Sequence, residues 1–405
     1  MRVLVIDEEF PYPLDSGKRI RSYQLLSRLT ARCKLHYLAY GTAHSEGFSA
    51  LERAGISPRP VAAELPAQSG PGFYLRLLAN LFSRYPYIVS RHYSRLFQNH
   101  LRAAVAEIQP DLILCEWTPY AVFASNIIDI PHVIVAHNIE HRIWQRYYEY
   151  EESALKKWYI GRQAPKVATF EREAFGRADG AVAVSKSEAD EIRSMNDRLK
   201  VAVVENGVDL DYFAPSPDRE NAEALVFVGA MHWRPNQDAV IFFVEEILPR
   251  IRQHRPDVTF TIVGQGPPPH IQKLDSRPGV RVTGRVEDVR PYVGAAAVYV
   301  VPLRIGGGTR LKILEALAMK KAVVATSVGA EGLEVVDDRH LLLADSADSF
   351  AEQVLRLLED AALRRGLGDA GRRLVEERYG WDRLADKLYE YLSELVKQRK
   401  GTRHE

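Results

Sequence analysis

V-V-P-L-R-I-G-G-G-T-R-L-K-I-L-E-A-L, from Val300 to Leu317, is the stretch on which the reading of this chain turns. A β-branched apolar run ends at Pro302, the glycines Gly306, Gly307 and Gly308 form a loop, and a helical pattern starts near Thr309. Glycines let a backbone approach a ligand closely and adopt positive φ. The first amides of a helix have no internal partner and lie at the positive end of its dipole, so an anion fits there. Arg310 adds a planar fork suited to phosphate oxygens and Lys312 a mobile point charge. Cations are unfavourable at a helix N-terminus unless an anion joins them, which favours a diphosphate cradle over a plain strand-to-helix turn. Glu315, one turn on, is a carboxylate able to accept hydrogen bonds from the vicinal hydroxyls of a ribose.

Outward from this loop, short β-branched runs alternate with longer helical patterns, which argues for α/β architecture with parallel sheets covered on both faces. In the first half the strands are expected at Val3–Ile6, Lys34–Ala39, Asp111–Cys115, His132–Ala136, Ala181–Val184 and Val201–Val204. In the second half they are expected at Ala224–Val228, Thr259–Val263, Val280–Thr283, Val298–Val301, Ala322–Thr326 and His340–Leu343. The Asn-Gly step and paired prolines of 206–217 read as a linker. The expected organisation is a Rossmann-like domain over 1–205, a second over 218–380, and a crossover helix and tail over 381–405. Two such doubly wound domains would face each other across a cleft, with ligands beyond the carboxyl ends of their strands. Leu384, Leu388, Tyr391, Leu392 and Leu395 make the last segment an amphipathic helix that needs a partner surface.

With 405 residues, 46% of them hydrophobic, the chain can bury two cores. A formal net charge of +1 gives no global pull toward nucleic acid. The two cysteines, Cys33 and Cys115, sit in apolar strand-like sequence and read as buried thiols, which excludes a disulfide frame and a cysteine metal cluster. MRVLVIDEEF begins with a strand and turns acidic at once, unlike a signal peptide, and no apolar run reaches the roughly 20 residues of a membrane span. A cytoplasmic location is the expectation. His137 and His141 are four apart with no third ligand, so no zinc site is expected. Asp209 and Asp211 form a D-x-D string inside the N-G-V-D-L-D turn and read as a turn and surface pair, so no metal site is assigned.

The order and spacing of several short words make the chain resemble the family 4 glycosyltransferases of the GT-B fold over nearly its full length. They are P-Y-P-L-D-S-G-K-R-I-R after the first strand, H-N-I-E at His137–Glu140, V-S-K-S-E at Val184–Glu188, N-G-V-D at Asn206–Asp209, F-V-G-A-M at Phe227–Met231, I-V-G-Q-G-P at Ile262–Pro267, and G-G-G-T-R-L-K-I-L-E-A. The first and last of these are similar to the bacterial subgroup that builds exopolysaccharides and surface glycans. The resemblance implies a hexosyltransferase-type enzyme that moves a sugar from a nucleotide-diphosphate sugar to a glycan or lipid-linked acceptor. It implies retention of configuration, no metal and no cofactor beyond the donor, an acceptor-side N-terminal domain and a donor-binding C-terminal domain. One departure stands out: family members commonly carry a glutamate at the position of Gly307, eight residues before Glu315. The ribose contact of Glu315 carries over, whereas the side-chain contact to the donor sugar passes to the amides of Gly307, Gly308 and Thr309.

By the same resemblance, Arg310 and Lys312 stabilise the departing diphosphate, and His137 faces the donor sugar and acceptor, where it hydrogen-bonds or shuttles a proton. Gly17 belongs to a flexible lip near the diphosphate, Arg234 to a basic phosphate contact, and Gly284 and Arg285 to the wall of the base pocket. Glu331, after the Ala322–Thr326 strand, is a further donor-side candidate. The 65–106 region has no Asp or Glu, and Arg84, Arg91 and Arg95 lie among its aromatics. Such a surface suits an anionic membrane, and it equally suits a helical pair that turns its aromatics inward. The expected partners are a nucleotide sugar, a glycan or lipid-linked acceptor and an anionic membrane surface at the cytoplasmic face, without nucleic acid. Two alternatives are a catalytically silent scaffold of the same fold and a dinucleotide-dependent oxidoreductase. The latter lacks its fingerprint, because Gly264-Gln265-Gly266 runs into three prolines.

Overall fold

The computed structural model describes residues 1–215, 220–305 and 310–401. Contacts divide it into two units: 1–205 together with 382–405, and 206–381. The first unit is built on a parallel sheet of β1 (Arg2–Glu9), β2 (Lys34–Tyr40), β3 (Ser57–Val61), β4 (Leu112–Cys115), β5 (His132–Ala136), β6 (Gly180–Ala183) and β7 (Val201–Val203). Their order across the sheet is β3-β2-β1-β4-β5-β6-β7. The second unit carries β8 (Asn221–Val228), β9 (Thr259–Val263), β10 (Val280–Val282), β11 (Ala296–Val301), β12 (Ala322–Ala325) and β13 (Leu342–Leu343), ordered β10-β9-β8-β11-β12-β13. Both are doubly wound Rossmann-like sheets. Every residue of β4, β5, β6, β11 and β12 is buried, which is why these strands read as unbroken apolar runs rather than alternating ones.

β3 is absent from the sequence expectation because its sequence, Ser-Pro-Arg-Pro-Val, carries two prolines. It is the edge strand of its sheet, and the Val61 carbonyl accepts from Gly41 N, so the odd-numbered residues face β2. Pro58 and Pro60 therefore turn their missing N–H toward the open edge, where no ladder bond is lost. Residues 206–215 belong to the second unit: Val208 is buried in its core and pairs with Gly380. Asp209 accepts from the N–H groups of Asp211 and Tyr212, so this half of the D-x-D string caps a turn.

The last helix, Trp381–Gly401, belongs from Asp382 onward to the first unit. Arg28 pairs with Asp382, Lys387 with Glu205 and Arg399 with Asp179, while the Tyr391 hydroxyl donates to the Lys200 carbonyl at 2.7 Å. Gly180 makes the approach possible, because a Cβ there would lie 2.2 Å from the Tyr391 hydroxyl and 2.5 Å from Leu395 Cδ1.

Candidate functional site

The sheet of the second unit reverses its winding between β8 and β11, so the carboxyl ends of these strands flank a crevice. The chain passes from β8 into the Arg234–Phe242 helix, and beyond β11 into the Leu311–Ala318 helix. Lys312 of the latter donates from Nζ to Asn236 Oδ1 of the former at 2.7 Å, and its ammonium lies 4.3 Å from the centre of the Phe227 ring. Asn236 is held in turn by donating from Nδ2 to the Ala230 carbonyl at 2.9 Å. The glycine after β8 leaves room for this pair: a Cβ on Gly229 would lie 2.8 Å from Asn236 Nδ2 and 3.0 Å from Lys312 Nζ, so one of the two would have to shift. Gly264, after β9, lies closer still, since its Cβ would fall 1.8 Å from the Gly229 carbonyl oxygen.

The helix expected near Thr309 starts at Leu311, with Arg310 in the capping position at φ −86° and ψ 37°. Arg310 is buried, and its Nη2 lies 3.3 Å from Glu331 Oε2, so two of the expected donor-side residues meet. Burial, reinforced by the Arg310 charge, pulls Lys312 down to about 7, with Glu315 opposing. Burial likewise pushes Glu315 up to about 7 against the pull of Lys312. Both groups thus sit where a bound ligand's charge decides their protonation. Arg234 is the exposed first residue of its helix, and Arg285 is exposed beside Gly284, which holds φ +70° after β10. Gly307, Gly308 and Thr309 lie outside the described residues.

The sheet of the first unit reverses between β1 and β4, and a second polar cluster gathers at that end. Lys18 Nζ donates to Asp7 Oδ1 at 2.6 Å and to Glu8 Oε1 at 2.8 Å, and the Tyr37 hydroxyl donates to Asp7 Oδ2 at 2.7 Å. Burial pushes Asp7 up to about 7 although Lys18 opposes it. Gly17 is the first residue of the Gly17–Leu29 helix, which Ser16 caps. The stretch expected to act as a lip is tied down on both sides, by Lys18 to β1 and by Arg19 to Glu9 and Asp15.

His137, directly after β5, is buried with Nε2 3.2 Å from Glu116 Oε2. Ser22 donates to the same oxygen at 2.6 Å. Burial lowers the His137 pKa despite the carboxylate, whereas the His137 and Ser22 bonds hold Glu116 below its usual value against its own burial. The pair is therefore a neutral imidazole donating Nε2–H to an ionised carboxylate, which leaves a bare lone pair on Nδ1. Among the described residues, Nδ1 has no hydrogen-bond partner. Nearby in sequence, Glu171 accepts from Glu140 N, His141 N and His141 Nδ1, supplying the negative charge that the start of the Glu140–Tyr150 helix needs. Among the described residues, no group of three or more His, Cys, Asp or Glu is placed to hold a metal ion.

Sequence reasoning passed over Asn236, Asp7, Glu8, Lys18 and Glu116. A signal existed for two of them, because Asp7 and Glu116 are the first polar residues after the apolar runs of β1 and β4, at the ligand end of a parallel sheet. Of the arginines expected at a membrane surface, Arg84 pairs with Glu173, Arg91 donates from Nε to the Pro66 carbonyl at 3.2 Å, and Arg95 is exposed.

Two Rossmann-like units, the second cradling cations at its switch point, define a protein of the GT-B class. Sucrose-phosphate synthase from Thermosynechococcus elongatus shares the fold at a TM-score of 0.70 and 19% identity, over 98% of this chain and 99% of that one. The Anabaena protein HepE, solved in complex with UDP and glucose, does so at 0.67 and 15%, over 97% and 99%. Residues 20–212 match the model of Glycosyltransferase Family 4, and residues 222–360 match that of Glycosyl transferases group 1. Alpha-maltose-1-phosphate synthase of Mycolicibacterium smegmatis is 28% identical over 66% of this chain and 74% of its own length. D-inositol 3-phosphate glycosyltransferase of Salinispora tropica is 31% identical over 58% of this chain and about half, 55%, of its own. The two models, family 4 over the first part and group 1 over the second, together span most of the chain and make it a glycosyltransferase of the GT-B fold. No helix among the described residues is long and apolar enough to cross a membrane.

Proposed function

We propose that this enzyme transfers a hexose from a nucleotide-diphosphate sugar to a glycan or lipid-linked acceptor in polysaccharide or surface-glycan synthesis, with retention of configuration and without a metal. The observation that carries the reading is Lys312, held between Asn236 and the Phe227 ring at the β8/β11 switch point with Arg310 two residues before it. An acceptor hydroxyl bonds to the anomeric carbon, the bond to the β-phosphate oxygen breaks, the electron pair leaves with the nucleoside diphosphate, and the hydroxyl proton passes to that departing diphosphate. Lys312 and Arg310 stabilise that departing charge without a metal. Glu315 accepts from the ribose hydroxyls, Gly284 and Arg285 border the base, and Arg234 and Glu331 complete the donor side.

Within this scheme the unit 206–381 takes the donor and the unit led by 1–205 takes the acceptor, with His137 as the hydrogen-bonding group toward the reacting sugars. An acceptor of lipid-linked type places the enzyme at the cytoplasmic face of a membrane, where Arg84, Arg91 and Arg95 contribute positive charge. A screen of UDP, GDP and dTDP sugars by nucleotide release tests the reading. One donor is expected to support turnover that chelators leave intact, with the product anomer retaining the donor's configuration by NMR. Release at the wild-type rate from a Lys312→Ala variant would remove the donor-site assignment.

A further inference from the structure

The Pro71–Leu81 helix carries apolar side chains on both sides, and one of those sides stands in the open. Tyr74, Leu75, Leu78 and Phe82 are 64%, 66%, 58% and 93% exposed. Their spacing places them on one face, with Phe82 at the C-cap. The one buried residue of the helix is polar: Asn80 donates to the Tyr85 carbonyl at 3.1 Å and to Ser90 Oγ at 2.8 Å, and accepts from Gln163 Nε2 at 3.0 Å. Lys166 gathers the carbonyls of Asn80, Leu81 and Ser83 at 2.8, 3.0 and 2.7 Å and so seals the C-terminal end of the helix. A surface helix normally buries its apolar stripe and solvates its polar one. Here Asn80 anchors the inward side, hydrogen-bonded to the Ala154–Arg177 helix and to 85–90 beside half-buried Phe73, Leu77 and Leu81, and a second apolar stripe faces out.

We infer that this outward face inserts into an anionic lipid bilayer. The charge around it selects that occupant: 65–106 holds five arginines and no Asp or Glu. Arg76 and Arg91 are oriented by the carbonyls of Ala67 and Pro66, which leave their charge uncancelled, while Arg84 is paired with Glu173 and stands exposed. A helix of 11 residues, about 16 Å long, lies in the plane of the interface with aromatic and aliphatic side chains among the acyl chains and guanidinium groups at the headgroups. The sequence expectation named the arginines; the geometry assigns the apolar contact to Tyr74, Leu75, Leu78 and Phe82 and leaves the arginines as its rim. This deepens the membrane-apposed part of the function proposed above and rests on it.

The test is flotation of the full chain with phosphatidylcholine vesicles, with and without phosphatidylglycerol. Wild type is expected to float with the anionic vesicles and to be released by salt. The triple variant Leu75→Ser, Leu78→Ser, Phe82→Ser is expected to bind at least tenfold more weakly, with unchanged melting temperature and UDP affinity because none of the three is buried. Equal flotation of the triple variant and wild type overturns the inference, and so does a wild-type dimer in light scattering that the triple variant dissolves, which would make the occupant a second copy. Vesicle binding without binding of UDP, GDP or dTDP would retain the docking surface and discard the transferase reading.

Discussion

Glu116 Oε2 lies 3.2 Å from His137 Nε2, and this single contact sets what His137 offers a substrate. With Nε2–H committed to the carboxylate, Nδ1 can accept a hydrogen bond and cannot give one.

Glu116→Gln keeps the shape and reverses this polarity, because the amide donates to Nε2 and moves the ring proton to Nδ1. The expected result is a fall in kcat of about two orders of magnitude or more, the scale seen when a histidine is held in the wrong tautomer, with UDP affinity unchanged. Nitrogen NMR of His137 reads the tautomer directly, and Glu116→Asp should restore part of the rate. An equal loss of melting temperature and rate in both variants would reduce Glu116 to a structural role.

Lys312 sits near pKa 7, pulled down by burial and by Arg310, so at pH 8 it is largely neutral in the free enzyme. A diphosphate beside it raises that pKa, and binding must take up a proton. Calorimetry at pH 8, in two buffers of different ionisation enthalpy, of the nucleoside diphosphate that the donor screen selects should show uptake in wild type and less in Lys312→Met. Affinity should fall as pH rises above 7.

Gly264 and Gly284 separate steric need from backbone freedom. Gly264→Ala places a Cβ 1.8 Å from the Gly229 carbonyl oxygen and must push β8 and β9 apart, at a cost of about 1–3 kcal/mol or more and with loss of UDP binding. Gly284→Ala meets nothing within 4 Å and strains only the φ of +70°, about 1–2 kcal/mol. An unchanged melting temperature in Gly264→Ala would contradict the close approach of the two strand ends.

His141 is raised above its usual value, chiefly by the Glu171 bond, with Glu191 adding to it and burial opposing. A folded pKa above the unfolded one contributes stability that is fully present below the unfolded value, near 6.5, and is lost as pH rises through the folded value. Between pH 6 and pH 9 the melting temperature of wild type should therefore fall further than that of His141→Gln. Parallel curves would show that the clamp contributes nothing.

The strands were largely legible because buried parallel strands leave long β-branched runs. β3 was hidden by Pro58 and Pro60, whose strand-breaking signal reverses only at an edge. Lys312 and Glu315 were found from local spacing. Asn236, the partner that fixes Lys312, sits 76 residues away, and no local pattern links the two. The aromatic run of 65–106 had no readable sign: Tyr85 packs on Phe170 and Phe97 is fully buried, while Tyr74 and Phe82 face out. Composition is the same on both sides of that division, and the packing partners that decide it lie far along the chain, Phe170 for Tyr85 and Gln163 for Asn80.

Glu205 and Asp382 bracket the whole second unit, so the first unit is discontinuous in sequence. A ribosome releases all of 206–381 before the helix that covers Gly180 with Tyr391 and Leu395 exists. The order of birth therefore inverts the order of completion. The second unit has its full sheet while the first still lacks its closing helix, and a chain cut at Glu205 loses Leu384, Leu388 and Leu392 from its interior however intact its seven strands.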